Sequence, residues 1–504
     1  MDNAQILIID FGGQYTRIIG RRLRELRMRP LVLDALQANN WLSSHTPKGI
    51  IISGGWTSIY DNNAPALSPR IFERNIPLLG ICLGMHWIAQ TLGGTVAQAA
   101  GRREYGVREF VRADSIDPLF LGVPEKSMVL ASHGDSVTML PPQARMIGST
   151  SDCPIAAFAL PAKKIWAVQF HPEVADSVYG RTMLKNFLSL CGAKEDWDSA
   201  HIVSAIQKEV KGVLIPHAPY IHLFSGGVDS TVIAAMLKPI LGERLKCVAL
   251  DAGNFRENEA DEIHRNANAA GCGLMMIDVK KEFLAGLAGM IDAEEKRLAF
   301  QRVYRTVIEN IKNSFGAAEV MQGTLATDLI ESGAAGQASL IKTHHNVGVA
   351  SINPLNGLFK DEVREIARFL GLPEQVSERM PFPGPGLFVR IVGTPVTEES
   401  VDTVRWADAR VREIIRLAGI EKNISQLIVA LIGLPTTGVK GDSRSYAHAI
   451  VVRAMQSIDF MTGQGYEIPA DIRRAITHKI TQHPRIVRVW FDETPKPPAT
   501  FELE

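Results

Sequence analysis

The stretch Ser225-Gly226-Gly227-Val228-Asp229-Ser230-Thr231 decides the fold of the middle of this chain. It follows an apolar run, Ile221-His222-Leu223-Phe224, that reads as a buried strand. It leads into Thr231-Val-Ile-Ala-Ala-Met-Leu-Lys-Pro-Ile-Leu241, which reads as a helix with a hydroxyl-rich first turn. A strand, a glycine loop and a helix N-terminus together make an anion site. Glycines let the backbone approach, N–H groups point at phosphate oxygens, and the helix dipole favours negative charge. The common phosphate loop ends in Gly-Lys-Ser/Thr, and no lysine stands there. Asp229 sits instead where a carboxylate can hold Mg²⁺ between phosphates. Ser-Gly-Gly alone reads equally well as a tight turn with a capping serine.

The whole seven-residue string resembles the pyrophosphate loop of the N-type ATP pyrophosphatases, which cleave ATP to AMP and pyrophosphate while activating a carbonyl oxygen. The next strand, Cys247-Val-Ala-Leu-Asp251, ends with Asp251 near the same crevice, where open parallel sheets bind ligands. The resemblance makes ATP a co-substrate held by Ser225, Gly226, Gly227, Val228, Asp229, Ser230, Thr231 and Asp251, with Asp229 the Mg²⁺ ligand.

Bulk properties narrow the class. A length of 504 residues suits about three domains, and 46% hydrophobic residues supply several cores. Lys+Arg and Asp+Glu both number 54, which argues against a protein that coats nucleic acid or an anionic membrane. The N-terminus carries no basic region and only a four-residue apolar run, so it reads as a first strand. No apolar run is long enough to span a bilayer. Five scattered cysteines without CxxC spacing fit reduced thiols in a cytoplasm.

From 1 to 193, apolar runs at 5–9, 50–52, 78–81 and 165–170 alternate with helical patterns, as in a parallel sheet with crossover helices. Pro77-Leu-Leu-Gly80-Ile-Cys82-Leu-Gly84-Met-His86 contains a Gly-x-Cys-x-Gly elbow, the cysteine counterpart of a nucleophile turn. A cysteine there needs a base and a group that orients the base. Val168-Gln-Phe-His171-Pro-Glu173 offers both, since residues two apart on an extended segment point the same way. Taken singly, Cys82 reads as a small buried hydrophobe and His171 as a structural histidine.

This segment resembles a class I glutamine amidotransferase, a family that hydrolyses glutamine through a cysteinyl thioester and releases ammonia. The resemblance makes Cys82 the nucleophile, His171 the base and Glu173 its orienting carboxylate. Gly55 and Leu83 would supply oxyanion-hole amides, and His86 the glutamine contact. The family normally has glutamine at the position of His86 and proline at that of Trp56.

The segment 200–388 continues with Gln322-Gly323-Thr324, Asp328-Leu-Ile-Glu331 and Ile341-Lys342-Thr343-His344-His345. The His-His pair lacks a third ligand at zinc spacing. Pro381-Phe-Pro-Gly-Pro-Gly-Leu387 reads as a rigid turn that places Arg390 on a following strand. From 389 to 504, a helix at 398–418 and β-branched runs at 424–432 and 486–491 read as a small α+β unit. Gly438-Val-Lys440-Gly-Asp442-Ser-Arg444-Ser-Tyr446 reads as a polar loop, and Lys496-Pro-Pro-Ala-Thr-Phe-Glu502-Leu-Glu504 as a docked tail.

In this order the strings are similar to the glutamine-hydrolysing GMP synthetase family over essentially the whole chain. The fold class expected is α/β: two doubly wound parallel-sheet domains, 1–193 and 200–388, plus a small α+β dimerisation domain, 389–504. The resemblance implies glutamine, ATP and an XMP-like purine nucleotide as substrates, Mg²⁺, and a homodimer. Lys342, Arg390, Lys496 and Glu502 would contact the nucleotide. Ala326-Thr327, Phe501 and Leu503 depart from the family's usual residues. A paralogue acting on another purine-like nucleotide, or a non-catalytic nucleotide- or glutamine-binding regulator, stays open at this point.

Overall fold

The computed structural model describes residues 4–13, 15–61, 64–98, 104–113, 117–325, 341–343, 350–380, 382–440, 443–457 and 462–504. The backbone divides into two compact units, Met1–Ile202 and Val203–Glu504.

In the first unit a strand of four consecutive isoleucine and leucine residues within Ile6–Asp10 serves two cores at once. Ile6 and Ile8 join a cluster with Ile19, Leu184 and Phe187 on one face. Leu7 and Ile9 join Ala38, Met85 and Ile88 on the other. Both faces are therefore covered by helices, which is why the strand is apolar throughout instead of alternating. Among the described residues the sheet has nine strands, and its parallel part runs Pro30–Asp34, Ile6–Asp10, Gly49–Ile52, Leu78–Ile81, Ile165–Val168. It continues antiparallel through Ala157–Leu160, Arg145–Ser149, Glu104–Arg112 and Lys126–His133.

Among its described residues the second unit contains two sheets. One orders Leu274–Asp278, Leu245–Asp251, Tyr220–Leu223, Glu319–Met321 and Ala350–Ile352 in parallel, with Ile341–Thr343 antiparallel at its edge. The other is built on a long hairpin, Gln426–Lys440 with Ser443–Gln456, flanked by Ile391–Val392 and Ile486–Asp492. The helix Glu398–Leu417 buries Val404, Ala407 and Val411 against it.

Two expectations need correction. The stretch 438–446 is not a loop: residues up to Lys440 and from Ser443 pair across the hairpin, and only 441–442 lie outside the described residues. Its polar residues are the exposed end of a ribbon whose pairing comes from its partner strand. Arg390 ends a short 3₁₀ helix, Gly386–Arg390, ahead of the strand Ile391–Val392.

A buried charge cluster fixes the second unit. Asp408, 1% exposed, accepts from Arg390 Nη1 at 3.0 Å and Arg412 Nε at 2.7 Å, and Arg256 Nε lies 3.4 Å away. Burial alone would raise this carboxyl, but Arg412, Arg256 and Arg390 outweigh it and hold it below its ordinary value. Its stabilisation is thus complete above the ordinary carboxylate range and is lost as the pH falls through its depressed value. Asp408→Asn should cost about 3–5 kcal/mol, because it strands buried guanidinium groups. Chemical denaturation of the two proteins at pH 7 checks this, and their difference should shrink on acidification.

Candidate active sites

In the first unit the strand Leu78–Ile81 stops at Cys82, and the helix Leu83–Thr91 starts immediately after it. The price of so sharp a turn is a left-handed backbone at a non-glycine residue: Cys82 has φ 50°. Glycine is required beside it. A Cβ on Gly84 would sit 2.4 Å from the Ile52 carbonyl oxygen. The elbow leaves Cys82 at the head of a helix, whose first N–H groups have no intrahelical partner.

His171 lies beyond the neighbouring strand, Ile165–Val168. Its Nδ1 is 2.8 Å from Glu173 Oε1, and both side chains are buried. A Cβ on Gly54 would lie 3.1 Å from His171 Cε1 and 3.5 Å from Cys82 Cβ, so the two side chains flank the same small space. Gly55 and Leu83 adjoin one another there, since a Cβ on Gly55 would meet Leu83 Cδ2 at 2.5 Å. Burial alone would depress the His171 imidazolium. The Glu173 charge and a hydrogen bond with Cys82 outweigh it and hold the group well above its ordinary value. That balance favours an imidazolium beside the sulfur.

The histidine backbone is pinned as well: His171 N–H donates to Leu130 O at 2.9 Å, and Ser177 Oγ donates to His171 O at 2.6 Å. His86 is 4% exposed and its Nε2 lies 2.8 Å from Gln169 Oε1. Glu104, His133 and Cys153 form a second buried cluster nearby. It is closed by internal hydrogen bonds, from His133 to Asp135 O and from Thr150 Oγ1 to Glu104.

In the second unit, the strand Tyr220–Leu223 delivers the Ser225–Thr231 loop to the helix Val228–Leu241. Gly226 takes φ +70°, which brings the loop round, and Asn266 Nδ2 holds its carbonyl at 2.8 Å. Ser230 and Thr231 hydroxyls donate back to Gly227 O at 3.0 and 2.8 Å. Asp229 Oδ2 accepts from Lys360 Nζ at 2.6 Å, while Oδ1 is buried with no hydrogen-bond partner among the described residues. Asp251 pairs with Lys280 at 3.0 Å. The loop opens on a cavity of about 570 Å³ that Lys360, Arg379, Phe382 and Tyr304 also line.

Sequence reasoning missed Lys360 and Arg256. The absent loop lysine was the one signal for the former: the cation arrives from the start of the helix Lys360–Phe369 instead. Arg256 stacks 3.8 Å over Phe382, and its Nε and Nη2 are buried without hydrogen-bond partners among the described residues. Arg390 is fully buried and forks onto Glu502 at 3.0 and 3.2 Å, where Gln426 Nε2 also donates at 2.8 Å. The tail is docked, with Arg453 donating to Thr500 O and Phe501 O, and Lys496 lies 4.9 Å over the Phe501 ring. Lys342 lies on the edge strand Ile341–Thr343, its side chain outside the described residues. Gln14, Asp328, Glu331, His344 and His345 also lie outside them.

The two arrangements fit one class: a glutamine amidotransferase carried on one chain with an ATP-using ligase. The comparisons agree. Residues 7–191 match the glutamine amidotransferase class-I family, 413–503 the GMP synthase C-terminal domain, and 219–381 a family of unknown function. A GMP synthase (glutamine-hydrolyzing) of Streptococcus equi subsp. zooepidemicus is 40% identical over 520 residues, covering 100% of this chain and 98% of that protein. One from Lactobacillus delbrueckii subsp. bulgaricus is 42% identical over 518 residues, covering 99% and 98%. This chain belongs to the glutamine-hydrolysing GMP synthase family.

Replacing the charge behind the histidine tests the first site. Glu173→Gln keeps the shape but removes the anion that holds the imidazolium. Glutamine hydrolysis should fall about 10²- to 10⁴-fold. Ammonia release from glutamine, measured with purified protein, checks this.

Proposed function

We propose that this chain amidates XMP to GMP, using ATP and ammonia drawn from glutamine, with AMP and pyrophosphate as products. The observation that carries the reading is the presence in one chain of the Cys82, His171 and Glu173 constellation and the Ser225–Thr231 loop. Membership of the family along the full length supports it. An oxo group on a purine leaves poorly, so it must become a phosphate ester before an amine can replace it. ATP supplies that ester as an adenylate on O2 of the nucleotide. Free ammonia is scarce near neutral pH, so a second site that generates it meets the need.

In the first unit Cys82 attacks the glutamine amide and His171 passes its proton to the departing ammonia. Gly55 and Leu83 amides receive the oxyanion, and Glu173 holds the ring. In the second, the Gly226–Ser230 backbone and Lys360 hold the ATP phosphates. The unpartnered Asp229 Oδ1 fits a Mg²⁺ ligand, and a bound Mg²⁺ would neutralise charge on the departing pyrophosphate. Arg256 holds the anionic nucleotide, with Lys342 and Lys496 completing its site. Arg390 and Glu502, closed on one another and on Asp408 and Gln426, set the position of that site instead of touching the nucleotide. Support comes from the excess of three guanidinium groups, Arg256, Arg390 and Arg412, over the two carboxylates Asp408 and Glu502. We divide the second unit near 388/389, between its two sheets. Exposed Leu434, Val439 and Tyr446 on the long hairpin support pairing of two copies there, and five unpaired cysteines fit a cytoplasmic setting.

Pyrophosphate release with Mg·ATP, across a panel of purine nucleotides, tests the whole reading. XMP should stimulate it, and GMP should form with either glutamine or ammonium chloride. Turnover on another nucleotide without response to XMP would overturn the substrate. Arg256→Ala should raise KM for XMP about tenfold or more, by removing a buried charged contact. KM for glutamine should stay unchanged.

A further inference from the structure

His86 and Gln169 lie behind the nucleophile, and their hydrogen bonds form a line. His86 Nε2 is 2.8 Å from Gln169 Oε1, and Gln169 Nε2 is 3.9 Å from Cys82 Sγ. All three side chains are buried, at 4%, 1% and 6% exposure, so solvent does not compete for these contacts. Burial, against the opposing hydrogen bond from Gln169, pushes the His86 imidazole down to about 4. The ring is therefore neutral at pH 7 and carries a single N–H. Placed on Nε2, that N–H donates to Gln169 Oε1. The amide is then fixed, and its NH₂ group faces the sulfur. The flipped amide would oppose an oxygen acceptor to a thiolate, which is also an acceptor, so it is excluded once the sulfur is charged.

The geometry points to His86 and Gln169 as a positioning pair for the glutaminase: His86 holds the Gln169 amide so that its N–H donates to the Cys82 thiolate. This deepens the reading above and rests on Cys82 being the nucleophile. It gives the departure at position 86 a role. An imidazole with one N–H cannot both donate and accept as an amide does, and here its Nε2 is committed to Gln169, not to substrate. The other ionisable groups around this line are known. His171 with Glu173 faces the sulfur from the loop after Ile165–Val168. His133, paired with Glu104, and Asp135 face His86 from the antiparallel strands. Tyr15 packs edge-on to His171 at 4.8 Å. The thiol also reaches Ser132 O at 3.8 Å, the contact it would use when protonated.

The experiment follows iodoacetamide alkylation of full-length protein across pH, read from the mass of the Cys82 peptide, together with glutamine hydrolysis. His86→Leu and Gln169→Leu should each move the alkylation profile to higher pH. Each should lower kcat about tenfold, as expected for a hydrogen bond to a charged group, with KM for glutamine within about twofold. His86→Gln, whose amide N–H can reach Gln169 Oε1, should restore both. The double leucine variant should be no worse than either single one, because the two residues act in one line. A Gln169→Leu profile identical to that of the parent protein would overturn the proposal. So would a rise in KM alone for His86→Leu, which would make His86 a substrate contact. Cys82→Ala separates the two levels. Hydrolysis that survives it removes the nucleophile assignment itself, whereas loss of hydrolysis with unshifted alkylation in the leucine variants removes only the pair.

Discussion

Both centres depend on one constraint: a helix must begin within a few residues of the end of a buried parallel strand, after one residue at Cys82 and after a short loop at Ser225. Such a junction aims unpaired N–H groups into a crevice, and the sheet behind it keeps them there. At Cys82 the constraint is met with strain, a left-handed cysteine between glycines that permit backbone contact. At Ser225–Thr231 it is met with glycine, so no strained side chain is needed and the hydroxyls fold back to tie the loop. The same architecture therefore presents a cysteine in one unit and a glycine loop with returning hydroxyls in the other. The difference lies in which residue occupies the turn.

The second unit adds a constraint of charge. Asp408 is too buried to be there without its arginines, and the arginines are too numerous for Asp408 alone. The tail supplies Glu502 to Arg390, and Glu504 pairs with Lys296 at 2.9 Å. This arrangement ties the last residues of the chain to a helix over two hundred positions earlier in sequence. Arg256 keeps its ion pair with Asp408 at 3.4 Å, while its Nε and Nη2 have no hydrogen-bond partner among the described residues.

Much of this was legible from local pattern. The strands at Gly49–Ile52, Leu78–Ile81 and Ile165–Val168 announce themselves because burial on both faces demands continuous apolar residues. The elbow and the phosphate loop announce themselves because their geometry admits few residue types. The antiparallel half of the first sheet was not legible. Glu104–Arg112 shows one face to solvent and carries Glu, Arg and Gly, so its strand character comes from its neighbours. The hairpin end at Ser443–Tyr446 was lost for the same reason. Lys360 reaches Asp229 across 131 positions of sequence, a separation that no spacing rule spans. Gln169 stood inside a motif already singled out, but nothing local says which way its amide turns.

That amide shows how a departure from a family's pattern can be absorbed. A glutamine side chain at position 86 offers a donor and an acceptor at once, whereas a neutral imidazole offers one of each on opposite sides of a ring. Histidine therefore cannot simply copy the amide. It can take over one half of the task, and the buried contact with Gln169 selects which half. The unpaired amides at the start of Leu83–Thr91 belong to the fold and not to any single side chain, so a replacement at position 86 leaves them in place.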